Sequence, residues 1–336
     1  MGKTIKDVAR VAGVSPATVS RVLNNSSKVS ELTELKVRKA INELNYQINE
    51  PARTLRTETS NLIGVIGAEL NNNFLMGLLK EAEKFARKKG FNFLLGDSGK
   101  SVNKKIDYLQ IMKQKNIDGI IIISSCWKNN FLQKIEENEI PTVIVSGHVN
   151  SDNITSVGIN NKKAAFQVIK KLYKLGHRNI GIITGPKNDK ISSQKRLNGV
   201  NAACEKTGIN LSHNLIVSGD YTLASGFCGA QKLIQTEEKL TAIFAFDDRM
   251  GVGAIRGVES LDKKVPEDIS VIGFDNIEIS KYIKPALSTV HQPRAKLGKT
   301  AIKSLISLIE GKELSFSSKF IEYDILLRES TVCITK

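Results

Sequence analysis

From Leu62 onward the chain alternates between two textures. Short β-rich runs occur at Leu62–Gly67, Phe91–Leu95, Gly119–Ile123, Thr142–Val145, Asn179–Thr184, Thr241–Phe246 and Ile269–Gly273. Between them lie amphipathic stretches such as Phe74–Lys89, Lys162–Leu175, Gln194–Thr207 and Met250–Leu261. Strand then helix, repeated, folds as right-handed βαβ units, giving parallel sheets covered by helices. Roughly 275 residues are too many for one open sheet around one core, so two α/β lobes are expected. The polar segment 150–161 suits a crossing between them.

The first 47 residues contain no strand-like run. Thr4 can cap a helix, with Asp7 three residues on, and Ile5, Val8 and Ala9 share one face. Gly13 breaks that pattern. Ser15 and Pro16 then open a second helix, a capping hydroxyl followed by proline at the first helical position. Val19, Val22 and Leu23 form its apolar face. Ser30 caps a third helix, with Val37, Ala40, Ile41 and Leu44 at helical spacing. Two short helices joined by a tight turn and braced by a third are a helix-turn-helix, whose second helix enters the DNA major groove. The residues expected to face DNA are Ser15, Pro16, Ala17, Thr18, Ser20 and Arg21, flanked by Thr4 and Asn24. Arg21 has the reach for a guanine edge. A three-helix module that binds protein is the alternative. Residues 48–60 read as a linker with a short helical core, opened by Asn49 and Pro51. There Ala52 and Leu55 share a face, and Arg53 and Arg56 can meet phosphates. Leu55 between two arginines suits an apolar wedge in the minor groove.

The stretch T-I-K-D-V-A-R-V-A-G-V-S-P-A-T-V-S-R-V-L-N, followed by I-N-E-L-N-Y-Q-I-N-E-P-A-R-T-L-R, resembles the lactose/galactose repressor (LacI/GalR) family of bacterial regulators. The resemblance continues through L-G-H-R-N-I-G-I-I-T-G (175–185), R-L-N-G (196–199), F-D-D-R-M-G-V-G-A (246–254), V-P-E-D-I-S-V-I-G-F-D-N (265–276) and P-A-L-S-T-V-H-Q-P (285–293). It implies a small all-α helix-turn-helix domain over 1–47, a hinge helix and linker over 48–60, and an α/β core. That core would be two doubly wound parallel-sheet lobes like a periplasmic sugar-binding protein. The N-lobe would comprise 61–157 with 291–318, and the C-lobe 160–288 with 321–333. The chain would cross between lobes near 157–161, 288–292 and 317–321. Where the family often has Asp, this chain has Asn160, and Asn71-Asn72-Asn73-Phe74 replaces an Asp…Pro-Phe-Phe stretch.

Ligands of open α/β sheets sit beyond the carboxyl ends of the strands. That rule selects Asn73 and Phe74 after the first run, Ser124, Ser125 and Trp127 after the third, Asp247 and Asp248 after Thr241–Phe246, and Asp275 after Ile269–Gly273. Arg196 joins them from the R-x-x-G stretch, and the resemblance assigns Arg196, Asp247 and Asp275 to the effector. Donors and acceptors of this kind suit a polyhydroxylated ligand, a sugar or sugar phosphate. Other readings stay open: helix capping for Asp247 and Asp248, a loop cap for Asp275, a structural ion pair for Arg196, core for Phe74, and a half-buried surface position for Trp127. His177 reads as structural.

Composition narrows the function classes. The net charge of +15 favours a polyanionic partner, but only +4 of it lies in residues 1–60, so charge alone locates no face. No apolar run reaches the ~20 residues of a membrane helix, and the polar start carries no secretory signal. A cytoplasmic location follows, with no membrane partner. Cys126, Cys204, Cys228 and Cys333 are scattered without a C-x-x-C, and the histidines are isolated, so neither metal nor cofactor is expected. G-V-G-A-I-R-G (251–257) lies inside a helical pattern, not after a strand as a dinucleotide fingerprint requires. A sugar-processing enzyme is therefore the remote alternative, and a phosphorylated carrier protein acting as corepressor the nearer one. The expected molecule is a homodimeric transcriptional regulator. It reads a pseudo-palindromic operator and answers to a small effector.

Overall fold

The computed structural model describes residues 3–23, 29–46, 59–67, 73–99, 101–123, 129–145 and 154–334, with backbone alone at 73, 129 and 130. Contacts group the chain into two units, Met1–Ser60 and Asn61–Lys336. Among the described residues no helix is long and apolar enough to cross a membrane.

The first unit is three helices: α1 (Ile5–Ala12), α2 (Pro16–Leu23) and α3 (Glu31–Glu43). A capping box closes the start of α1, where Asp7 accepts from the Thr4 amide at 2.9 Å. Gly13 ends α1 at φ 66°, a left-handed conformation that glycine adopts without strain and that turns the chain into α2. The Ser15 hydroxyl accepts from the Thr18 amide at 3.1 Å, and Ser30 likewise caps α3 through the Thr33 amide. Val8, Ala9, Val19, Val22, Val37 and Ala40 make the core, as the spacing predicts.

The second unit holds β1 (Leu62–Gly67), α4 (Asn73–Lys88), β2 (Asn92–Asp97), α5 (Val102–Gln114), β3 (Gly119–Ile123), α6 (Asn129–Glu137), β4 (Thr142–Val145) and β5 (Thr155–Gly158). It continues through α7 (Asn161–Lys174), β6 (Ile180–Thr184), α8 (Ser193–Thr207), β7 (Ile216–Ser218), α9 (Leu223–Thr236), β8 (Ala242–Ala245), α10 (Asp248–Glu259) and β9 (Ser270–Asp275). The last elements are β10 (Ser288–His291), α11 (Arg294–Ile309), β11 (Ser318–Phe320) and β12 (Asp324–Leu326). Two six-stranded sheets result, ordered β11-β5-β4-β3-β1-β2 and β12-β10-β9-β8-β6-β7. Every pairing is parallel except β10 with β12. Strand β3 is the run G-I-I-I-I, buried throughout, because helices cover both faces of a parallel sheet.

The chain passes between the sheets after β5, after β10 and after β11. Some boundaries differ from expectation. Strand β10 keeps His291 in the second sheet, and β11 carries the first sheet on to Phe320. Strand β5 lies inside the polar segment read as a crossing. Helices α9 and α10 pack backbone to backbone: a Cβ added at Gly253 would lie 2.0 Å from the Leu223 carbonyl oxygen, and one at Gly226 2.1 Å from that of Met250.

Candidate functional site

In the first unit the start of α2 is bare. Ser15, Pro16, Ala17 and Arg21 are exposed and Thr18 and Ser20 half-buried, while Val19 and Val22 turn into the core. The Ser15 and Thr18 hydroxyls bond each other at 2.9 Å, so a polar ridge leads the helix. Such a helix start, with short side chains and amide donors, is what a major groove or phosphate accepts. Thr4 is exposed and held by its capping bond to Asp7. Asn24, Ala52, Arg53, Leu55 and Arg56 lie outside the described residues.

The second unit brings Arg196, Asp247 and Asp275 together. Asp247 follows β8, Asp275 ends β9, and Arg196 lies in the first turn of α8. This is the carboxyl edge of a parallel sheet, where open α/β folds bind ligands. Arg196 is 5 % exposed. Its Nε donates to the Asn161 side-chain oxygen at 2.9 Å, and a terminal nitrogen donates to the Phe246 carbonyl. Its guanidinium carbon lies 3.5 Å from the centre of the Phe274 ring, a cation–π contact. Asp275 stands 3.8 Å from the same guanidinium and accepts from Gln292 Nε2 at 2.6 Å. Asp247 accepts from the Met250 amide at 2.7 Å, so the residue read as cap or ligand does cap α10 and still sits beside the arginine's hydrogen-bonded carbonyl.

Burial dominates the electrostatics. It lifts the Asp247 carboxyl to about 7, with help from the negative charge of Asp275. It lifts Asp275 to about 6, against the pull of Arg196. Asp248 is fully buried, its carboxyl also pushed up by burial. It accepts from the Ile277 amide at 2.7 Å and from the Thr289 hydroxyl, so it fixes the loop after β9. That loop holds Asp275 at φ 112° and Asn276 at φ 54°, unusual for side-chain-bearing residues. The capping reading of Asp248 thus becomes a loop-positioning one.

Other expected members do not join the cluster. Phe74 is buried in the first lobe's apolar core with Leu75 and Leu78, because the sheet-facing side of α4 is continuously apolar. Ser124, Ser125 and Trp127 lie outside the described residues, as does the Asn73 side chain, whose backbone opens α4. His177 is structural, bridging the Thr241 hydroxyl and the Val332 carbonyl at 3.1 Å each. Four residues join the cluster without having been singled out: Asn161, Gln292, Asp189 and Tyr221. Asp189 accepts from the Ser192 amide at 2.7 Å and from the Tyr221 hydroxyl. Of these Asn161 and Gln292 carried a signal, each standing at an expected crossing, and Gln292 also in the H-Q-P text. Among the described residues no three acidic, histidine or cysteine side chains could hold a metal ion.

Comparison with known proteins accords with both halves. Residues 4–49 match "Bacterial regulatory proteins, lacI family" and residues 169–331 match "Periplasmic binding protein-like domain". The repressor PurR of Aliivibrio salmonicida (strain LFI1238) is 34% identical over 310 residues, 92% of this chain and 93% of that protein. Catabolite control protein A of Priestia megaterium is 34% identical over 331 residues, covering 98% and 100%. Among solved structures, the Lac repressor dimer bound to operator and the anti-inducer ONPF superposes with TM-score 0.88 at 26% identity, over 99% of this chain and 100% of that one. The transcriptional regulator CelR–cellobiose complex does so with TM-score 0.75 at 27% identity, over 98% and 99%.

Proposed function

Because this chain belongs to the lacI family of bacterial regulatory proteins, and is a DNA-binding transcriptional repressor rather than an enzyme, we propose that it represses a carbohydrate-utilisation operon as a homodimer under the control of a small sugar-like effector. The observation that carries this reading is the arginine–carboxylate cluster at the carboxyl edge of the second sheet, in a chain that also carries an exposed recognition helix. A two-fold dimer places two such helices on a pseudo-palindrome whose half-sites are ~34 Å apart or a multiple of that. Leu55, with Ala52, Arg53 and Arg56, completes the proposal as the minor-groove contact of the hinge.

The test is enrichment of bound duplexes from a random library by the full chain. Melting curves with a panel of sugars then follow, and the enriched site is titrated with any sugar that raises Tm. A pseudo-palindromic site whose affinity shifts with one sugar supports the reading. Enrichment of no symmetric site, or affinity indifferent to every stabilising sugar, overturns it.

Arg21→Ala is expected to weaken binding to the enriched site by ~1–3 kcal/mol relative to random DNA, the value of a bidentate contact to guanine. An equal loss on all sequences would instead make Arg21 a phosphate contact.

For the dimer face, a groove of about 1310 Å³ is lined by Met76 and Lys80 of α4, Leu95 of β2, Tyr282, His291 and Arg294. Met76 is 46% exposed, Leu95 44% and Tyr282 75%, three large apolar side chains set among charged ones, and a second copy would cover them. Met76→Glu is therefore expected to lower the dimer mass toward the monomer in sedimentation. An unchanged mass would place the interface elsewhere.

A further inference from the structure

The loop after β9 ties the two lobes together at Asn276, which is 5% exposed. Strand β9 belongs to the second sheet, yet Ile277 belongs to the first lobe's apolar core, the cluster that holds Leu78 and Leu297. The Asn276 carbonyl accepts from Arg294, the first residue of α11, at 3.1 Å. Arg294 in turn lies over Gly77 of α4, where an added Cβ would stand 3.3 Å from its Cδ. The Asn276 side chain is the hub. Its oxygen accepts from an Arg328 terminal nitrogen at 2.6 Å, and Arg328 also donates to the Leu287 carbonyl at 2.8 Å and the Ser280 hydroxyl at 3.1 Å. Its nitrogen lies 2.9 Å from Nδ1 of His291, the last residue of β10, where the chain crosses to the first lobe.

The chemistry of these groups leaves one arrangement. A guanidinium only donates, so the amide must turn its oxygen to Arg328 and its NH2 to the imidazole. That NH2 also only donates, so Nδ1 of His291 must be the bare, accepting nitrogen. The ring is then neutral, with its proton on Nε2. A second proton would have to sit on Nδ1, donor against donor. Turning the amide over would move the same conflict to Arg328.

The surrounding charges do not favour the cation either. Burial holds the His291 imidazole below its ordinary pKa, and Arg294, Lys281 and Arg328 work in the same direction against Asp324 of β12. Asp275, its register partner on β9, is engaged with Gln292 and Arg196. His291 also lines the groove beside α4, whose charges are Lys80, Glu81, Glu83 and Arg87, with Glu278 and Lys296 beside them.

We propose that the Asn276 loop is a proton-operated latch between the lobes, closed over neutral His291 and released when His291 takes a second proton. On release the amide gives up the ring or Arg328, and the loop loses the bonds that hold the Arg294 and Ile277 contacts of the first lobe to the end of β9. The latch adds a pH input to the repressor that does not depend on which effector the carboxylate cluster binds.

The test follows the His291 ring and the Ile277 methyl by NMR in the full chain from pH 8 to pH 5, in wild type, His291→Gln and Asn276→Asp. His291→Gln identifies the ring signal and keeps an acceptor for the amide but takes no proton. Asn276→Asp keeps the oxygen for Arg328 and replaces the NH2 with a second acceptor, which a protonated ring satisfies. The wild-type ring should titrate below the ordinary midpoint of about 6.5. The Asn276→Asp ring should titrate ~one pH unit higher than the wild-type ring, since an adjacent carboxylate favours the cation. The Ile277 methyl should shift with the wild-type ring and lose that step in His291→Gln. A histidine whose folded midpoint is lowered binds its proton more readily when unfolded, so stability is whole above about 6.5 and falls as pH drops through that value. Wild type should therefore lose more Tm between pH 8 and pH 5 than His291→Gln does. A wild-type midpoint at or above about 6.5, an Ile277 methyl that titrates alike in wild type and His291→Gln, or equal losses of Tm overturns the latch. So does a ring midpoint unmoved by Asn276→Asp, and if that variant fails to fold, wild type against His291→Gln decides alone.

Discussion

Gly253→Val should melt far below the wild type, by ~6–12 °C or more. The added Cβ would lie 2.0 Å from the Leu223 carbonyl oxygen and 2.9 Å from the Phe227 amide nitrogen, both main-chain atoms of α9. A side chain can swing aside, but a helix backbone cannot move without dragging its whole packed face. Overpacking of cores costs ~1–3 kcal/mol and more where backbone must shift, and each kcal/mol moves the Tm of a domain this size by ~2–4 °C. Gly229→Ala is the internal contrast, since there the nearest atoms are side-chain carbons of Ile183 at 3.2 Å and beyond. It should cost well under half as much. Thermal unfolding followed by circular dichroism ranks the two, and a Gly253→Val melt within 2 °C of wild type, inside the shift of a single kcal/mol, would remove the backbone-to-backbone packing of α9 and α10.

Arg196→Ala is the second large effect, and it strikes stability and ligand response together. The change strips the partner from the Asn161 oxygen and the Phe246 carbonyl, and leaves Asp275, whose side chain is 16% exposed, without its cation. Breaking a buried pair by removing one member costs ~3–5 kcal/mol, because the remaining charge stays desolvated. The loss should be larger at pH 8 than at pH 5, where the two carboxyls hold their protons. Adding Asp275→Asn should recover part of it, giving a coupling of ~0.5–3 kcal/mol in a double-mutant cycle. Additive losses would mean that the arginine and the carboxylate do not sense each other. DNA binding by the intact recognition helix gives the control readout.

Much of this architecture was legible because each signal was local. Ser15-Pro16 and Ser30 announce helix starts through their own backbone chemistry, and the run 119–123 can only be a buried parallel strand. The strands that escaped notice are three or four residues long: Thr155–Gly158, Ile216–Ser218, Ser288–His291, Ser318–Phe320 and Asp324–Leu326. Three or four residues set no periodicity, and β11 and β12 gain their identity from the partner beside them. The same holds for the cluster. Arg196, Asp247 and Asp275 follow from a rule about strand ends. Asn161 reaches Arg196 across 35 residues of sequence, a contact that exists only once α7 and α8 have packed. Phe74 shows the converse: it stands where a ligand residue is expected, but the apolar face of α4 takes it into the core.

The interleaving of the two sheets bears on how the chain can be made. Strand β11 closes the edge of the first sheet by pairing with β5, and Ser318 meets Ser156 across 162 residues of sequence. Helix α11, which fills the first lobe's core with Leu297, Ala301, Ile302 and Leu305, also arrives late. A ribosome emits the chain from its amino end, and domains that are continuous in sequence fold in that order. Here the lobe that begins first cannot be finished first. Until about residue 320 has emerged, β5 presents an unpaired edge and α4 an uncovered apolar flank, the surfaces on which nascent chains aggregate. The second lobe, continuous from α7 through β10, can be nearly whole while the first still waits. Translational arrest between about residues 291 and 320 would thus release a molecule with its first lobe open and its second lobe largely folded.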